Sequence, residues 1–168
     1  ENFDQWQIDE ILVIDIDATH RRTGPNMALM AEIDRARIMT PLCYAGGVRG
    51  VEDALALVSC GADRIAMEAC FRDTPKSAQE VADAIGKQAV IRIQPVHLDQ
   101  DSQLMAHDYR GNHLEKPVGE LDFDTRSFSE LLIVDWKNEG QANAFDNRLL
   151  SAFRDQNIQV ICFGGITT

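Results

Sequence analysis

Two aspartates and two glycine pairs are the residues with the clearest chemical promise. Asp15 closes the run Ile11-Leu12-Val13-Ile14-Asp15, and Asp135 closes Leu131-Leu132-Ile133-Val134-Asp135. Each run follows an acid, Glu10 or Glu130. Downstream of each lies a Gly-Gly pair, Gly46-Gly47 and Gly164-Gly165, 31 residues after Asp15 and 29 after Asp135. Paired carboxylates can do general acid–base work. The other reading of each aspartate is a structural one, holding a loop or capping a helix. Glycine after a strand lets backbone N–H groups approach an anion, with a helix N-terminus behind them. A glycine pair also simply makes tight turns. Aspartate, helix and Gly-Gly recurring together point to two related halves about a pseudo-two-fold axis. Two such turns on opposite sides of one mouth would suit a ligand with a phosphate at each end.

Other reactive side chains are scattered. His20, beside Arg21 and Arg22, could approach a ligand in the first loop, whereas His97, His107 and His113 fall in a polar stretch and are expected in solvent. Cys43, Cys60, Cys70 and Cys162 form no C-x-x-C pair, so neither a metal site nor a disulfide framework is expected. No cofactor is implied.

The elements that must position these residues alternate. Residues 8–16 read as a strand buried on both faces. A polar turn follows, with Asn26 capping a helix over 27–36. Then come a strand at 38–44, a helix at 50–59, a strand at 63–67, a helix at 75–85 begun by Thr74-Pro75, and a strand at 88–93. Residues 96–118 are polar and read as an inserted β-hairpin, Ser102–Asp108 against His113–Lys116, with its turn at Tyr109-Arg110-Gly111-Asn112. Residues 119–129 leave room for one turn at most. A strand at Leu131–Trp136, a helix at about 145–155 and a strand at 158–163 complete the pattern. Strand and helix alternating at about 25–30 residues per unit predict parallel βαβ units with right-handed crossovers. An open doubly wound sheet is the alternative. In a parallel barrel the working mouth is at the C-terminal strand ends, where Asp15, Asp17, Gly46, Gly47, Glu68, Gln94, Asp135, Gly164 and Gly165 all fall.

A length of 168 residues fits one domain over 1–168 but is short of the roughly 250 of a complete eight-fold barrel. With 27 acidic against 16 basic residues, the net charge is −11. That charge argues against nucleic acid and anionic membranes as partners. No apolar run reaches the roughly 18–20 residues of a membrane span, and the expected setting is cytoplasmic.

The run D-E-I-L-V-I-D-I-D-A-T-H, then P-N-M-A-L-M-A-E-I, then P-L-C-Y-A-G-G-V-R-G-V-E-D-A, resembles the HisF family, the cyclase subunit of imidazole glycerol phosphate synthase. D-I-D-A-T and P-L-C-Y-A-G-G are most similar to HisF-like proteins linked to amidation of bacterial surface sugars. G-A-D-R-I-A-M, Q-A-V-I-R-I, E-L-L-I-V-D-W-K-N-E-G and V-I-C-F-G-G continue the match. The resemblance implies a partial TIM (β/α) barrel of about six parallel strands, matching strands 2–7 of the family, with the hairpin at about 96–118 as the insertion the family carries. It implies a phosphorylated ligand and a glutaminase partner that delivers ammonia at the barrel bottom. By motif position Gly46 and Gly47 match one phosphate site, and Gly140, Gly164 and Gly165 the other. Asp15 matches a strand-end aspartate of the family. Glu10, Arg64 and Glu130 match a charged ring at the bottom; read from the residues alone they are strand-start charges in surface ion pairs.

Departures from the family pattern bear on activity. The match begins at the family's strand 2 and stops after its strand 7, without the first catalytic aspartate. Gln94-Pro95 stands where the second should end a strand, Glu68 replaces a phosphate-holding asparagine, and Phe163 replaces a small polar residue. The expectation is a barrel derived from an ammonia-using cyclase or lyase of histidine biosynthesis or sugar amidation, binding a phosphorylated metabolite and impaired in catalysis. The alternative is a non-catalytic binding or assembly module. Open sheet edges further imply a homodimer.

Overall fold

A computed structural model describes residues 7–109, 116–121, 123–154 and 157–166. Six parallel strands form one curled sheet in chain order: β1 (Ile11–Ile14), β2 (Leu42–Ala45), β3 (Arg64–Met67), β4 (Val90–Leu98), β7 (Glu130–Asp135) and β8 (Gln159–Phe163). The order bears out the partial barrel and excludes the doubly wound sheet, whose strand order would reverse at a switch point. Helices α2 (Met27–Arg35), α3 (Val51–Ser59) and α5 (Pro75–Ile85) cover the outer face.

Side chains alternate across the sheet, as a pleated strand requires. Leu42, Tyr44, Ile65, Met67, Val90, Leu131 and Ile133 pack outward under the helices. Cys43, Ala45, Ala66, Ile91, Leu132 and Val134 form a second, inner cluster. The near-continuous apolar runs in the sequence have this cause, because both faces of each strand are covered. Burial pushes the Cys43 thiol up to about 12, as expected of a core residue rather than a reactive one.

Three features differ from the sequence expectations. The turn predicted after the first strand contains a short helix, α1 (Ile16–Arg21), started when the Asp15 carboxylate accepts the Ala18 N–H at 3.0 Å. A second short helix, α4 (Ala69–Asp73), follows β3. The strand predicted to stop at 93 runs on to Leu98, through Pro95. Its extension pairs antiparallel with β5 (Leu104–Ala106), and β5 pairs with β6 (Lys116–Pro117). Pro95 is tolerated because its carbonyl, not an N–H, carries the link, accepting His107 N–H at 2.9 Å. The turn residues Arg110, Gly111 and Asn112, and His113, lie outside the described residues.

This longer ribbon overturns the expectation that His97 and His107 are solvated. His97 is buried, and its Nδ1 accepts the Trp136 indole N–H at 3.1 Å. His107 stacks on the same indole with centroids 3.8 Å apart. Among its described residues the crossover after the ribbon has no α-helix, as its length predicted. Phe123, Phe128 and, from α4, Phe71 instead enclose the Arg92 guanidinium on the outer face, with ring centroids 4.2, 5.9 and 5.2 Å away. Stacked rings can cover a guanidinium where a helix would have covered an aliphatic chain. The helix expected at 145–155 is a 3-10 helix, Asn147–Phe153, begun by the Asp146 carboxylate on the Arg148 N–H.

Candidate functional site at the strand ends

The two halves use one backbone arrangement. Gly46 has φ +123° and Gly164 φ +94°. A β-carbon on Gly46 would fall 2.3 Å from the Asp15 carbonyl oxygen; one on Gly164 would fall 2.6 Å from the Asp135 carbonyl oxygen. Only glycine allows this approach, because both the conformation and the space exclude a side chain. Gly47 abuts the carbonyl of Thr23 and the backbone of Gly24, while Gly165 abuts the backbone of Ala144, Phe145 and Asn138. The spacing repeat in the sequence is therefore a repeat of close packing between a strand end and the preceding loop.

Both aspartates are anchored. Asp15 caps α1 and also accepts the Tyr44 hydroxyl at 3.3 Å, which itself accepts the Asn26 N–H at 2.9 Å. Asp135 is 2% exposed, and its carboxylate accepts the Asn138 side-chain amide at 2.8 Å and the Asp146 N–H at 2.9 Å. Each thus ties its strand to the start of the following helix. Neither lines the cleft described next.

That cleft, of about 440 Å³, opens at the strand ends. Its floor is apolar: Ile14, Ala45, Ala66, Ile93, Leu132, Val134 and Phe163. Around it stand Gly46 and Gly47 with Thr19, His20, Arg22, Thr23 and Arg49. Glu68, on the strand end next to Gly47, lines it too, as do Tyr109 and Glu139. Arg49 is braced by Asp53, Nε to carboxylate 3.0 Å, and lies across Gly24. Glu68 pairs with Arg72, which also reaches Asp108 at 3.1 Å and Asp73 at 3.1 Å. The Tyr109 hydroxyl donates to Glu139 at 3.2 Å; burial first, and that carboxylate second, push the phenol well above its usual range.

Of the nine mouth residues picked from the sequence, Gly46, Gly47 and Glu68 line this cleft. Asp17 pairs with Arg21 on α1. Gln94 is turned away from the cleft, accepting from Arg92 at 3.4 Å and donating to the Pro95 carbonyl at 3.3 Å. The Gly165 carbonyl accepts the Ala144 and Phe145 N–H groups at 2.8 and 3.2 Å, so the 138–146 loop covers the second glycine pair. Gly140 sits in that loop with φ +77° and open space around it. Arg49, Tyr109 and Glu139 were not picked from the sequence. A cation two positions after Gly-Gly gives a readable signal for Arg49. Tyr109 and Glu139 are 30 residues apart and carry none.

At the other end of the strands, Glu10, Arg64 and Glu130 come together. Arg64 spans the two carboxylates, 3.3 Å to Glu10 and a shorter contact to Glu130. Burial pushes the Glu10 carboxyl up against the pull of Arg64. Among the described residues, no group of histidine, cysteine and carboxylate side chains could hold a metal ion.

The family model described as histidine biosynthesis protein matches residues 1–168. The chain belongs to the histidine biosynthesis family. Curated relatives in this family include the imidazole glycerol phosphate synthase subunit HisF of Acidobacterium capsulatum, 28% identical over 167 residues, covering 95% of this chain and 64% of that protein. A putative subunit hisF2 of Campylobacter jejuni is 28% identical over 163 residues, covering 95% and 64%. Another putative hisF2, of Vibrio vulnificus, is 29% identical over 168 residues, covering 98% and 61%. This histidine biosynthesis family member thus spans under two thirds of the length of these curated relatives, and the HisF resemblance read from the motifs holds along its whole length. No described helix is long and apolar enough to cross a membrane.

Proposed function

We propose that this chain is a HisF-type barrel unit that binds a phosphorylated metabolite at its first Gly-Gly turn, and that its own acid–base catalysis is impaired. The cleft carries the reading. Gly46 and Gly47 share it with His20, Arg22 and Arg49, so backbone N–H groups and cationic side chains border one space. The impairment rests on the aspartates. Asp15 and Asp135 spend their carboxylates on loop and helix starts, and Gln94, where the family resemblance expects an acid, faces Arg92.

The second glycine set, Gly140, Gly164 and Gly165, takes an anion in this reading only if the 138–146 loop lifts from Gly165. The ring of Glu10, Arg64 and Glu130 marks the face for a glutaminase partner supplying ammonia, in histidine biosynthesis or sugar amidation, in a cytoplasmic setting. A second copy covers the outer edges of β1 and β8. The engagement of both aspartates in structure favours the second reading, a non-catalytic binding or assembly module.

Calorimetric titration separates the two. The first reading expects inorganic phosphate and a bis-phosphorylated imidazole–sugar to bind, and Arg22→Ala to weaken both about tenfold, the scale of one charge-assisted hydrogen bond. No heat from either ligand sinks it and leaves the assembly module. Turnover of the bis-phosphorylated ligand with ammonia refutes the impairment.

A further inference from the structure

The side chains of the cleft divide by where they come from. Each of the six parallel strands gives the floor an apolar side chain: Ile14 from β1, Ala45 from β2, Ala66 from β3, Ile93 from β4, Leu132 from β7 and Phe163 from β8. The hydrogen-bonding side chains, Thr19, Arg22, Arg49 and Glu68 among them, all belong to segments beyond the strand ends. Ile14, Ala45 and Ala66 stand level across the first three strands. Ala45 immediately precedes Gly46, so the space next to the glycine turn is walled by two methyl groups and an isoleucine. One layer further from the mouth, buried Cys43 and Ile91 close the same inner cluster. A hydroxyl carried onto this floor would leave water and find no side-chain partner there.

From this arrangement we infer that the cleft takes a phosphate monoester of an apolar ring rather than a phosphorylated sugar. The inference rests on the proposed phosphate site and adds the chemistry of the body attached to the phosphate. With the phosphate on the Gly46-Gly47 turn, the group bonded to it lies over Ala45 and Ala66, whose small side chains leave it room. A ring there removes the apolar surface of Ile14, Ile93 and Leu132 from water. Ile14, 37% exposed, is the most exposed of the floor residues and has the most surface to cover. Phe163 adds an aromatic ring to the same floor. The volume of about 440 Å³ accommodates one ring and its phosphate. A sugar ring of the same size would press hydroxyls against these methyl groups, and the cost of stripping their water sets the discrimination.

Matched probes test this. Benzyl phosphate and ribose 5-phosphate each join a phosphate through one methylene to one ring, apolar in the first and hydroxylated in the second. Titration of the whole chain at neutral pH should show benzyl phosphate binding about tenfold tighter than ribose 5-phosphate and than inorganic phosphate, the worth of burying one face of a ring. Ile14→Thr combined with Ile93→Thr should cut that preference several-fold and leave the affinity for inorganic phosphate unchanged. Arg22→Ala should weaken all three ligands alike and keep the preference. Backbone amide shifts give a readout that needs no variant: benzyl phosphate should move Ala66, Ile93 and Leu132 along with Gly46 and Gly47, and inorganic phosphate the glycines alone. Equal affinity for the two esters, tighter binding of ribose 5-phosphate, a preference untouched by the paired threonines, or benzyl phosphate shifts confined to the glycines overturns the inference while the phosphate site stands. Failure of both esters and of inorganic phosphate to bind overturns the phosphate site and the inference together.

Discussion

The two halves of the sheet solve one local problem and leave different openings. In the first, the Asp15 strand end meets Gly46; its carboxylate caps α1 directly and reaches α2 through the Tyr44 hydroxyl to Asn26. In the second, Asp135 meets Gly164 and reaches Asp146 directly. The preceding loop closes on both second glycines, Thr23 and Gly24 on Gly47 and Ala144 and Phe145 on Gly165. Yet Gly46 and Gly47 border the cleft, whereas Ala144 and Phe145 bond the Gly165 carbonyl. A repeated motif therefore preserves a fold feature more surely than a binding feature.

The deepest similarity should be the hardest to break. Gly46→Ala and Gly164→Ala each force a β-carbon onto a backbone carbonyl at a positive φ. Each should destabilise by about 3 kcal/mol or more, combining strain and overpacking. Urea unfolding of both variants checks this, and a mild effect in either half would separate the two turns.

The aspartates should differ. Asp135→Ala removes a buried acceptor from two half-buried donors, a loss of about 2–4 kcal/mol. Asp15→Ala removes a helix cap and one hydroxyl contact at a half-exposed site, about 1–2 kcal/mol. Equal losses by thermal or urea unfolding would contradict the difference in burial between the two aspartates.

The smallest effect concerns the strand-start ring. Burial raises the folded-state pKa of Glu10 above its usual value, with Glu130 adding to the rise and Arg64 opposing it. A raised carboxyl holds its proton more tightly in the folded chain than in the unfolded one. Its contribution to stability is therefore greatest below the ordinary carboxylate range and declines as pH rises through that range to the folded value. Glu10→Gln should flatten that decline in a series of urea melts across acidic pH. An unchanged slope would assign it elsewhere.

Much of this was legible beforehand. Alternating apolar runs and their spacing gave the parallel strand order, because strands covered on both faces must read that way. Asn26 capping α2 and the Asp15–Gly46 repeat were visible in the same way, each being a local steric or hydrogen-bond requirement. The extension of β4 through Pro95 was not. A proline reads as a strand end unless a distant partner, here His107 just past β5, donates its N–H to the proline carbonyl. The packing of His97 and His107 on Trp136 was hidden for the same reason, since polar residues look solvated until a distant indole supplies their cover. At the site, glycines were readable and Glu139 with Tyr109 were not, as their meeting depends on the ribbon and the loop after β7 folding toward each other.

The central claim is that an anion binds at the first glycine pair and leaves the second alone. Backbone amide shifts during a titration with inorganic phosphate test it residue by residue. Saturable shifts at Gly46 and Gly47, with Gly164 and Gly165 unmoved, are the predicted result. Shifts centred on Gly164 and Gly165, or none at either pair, would contradict it.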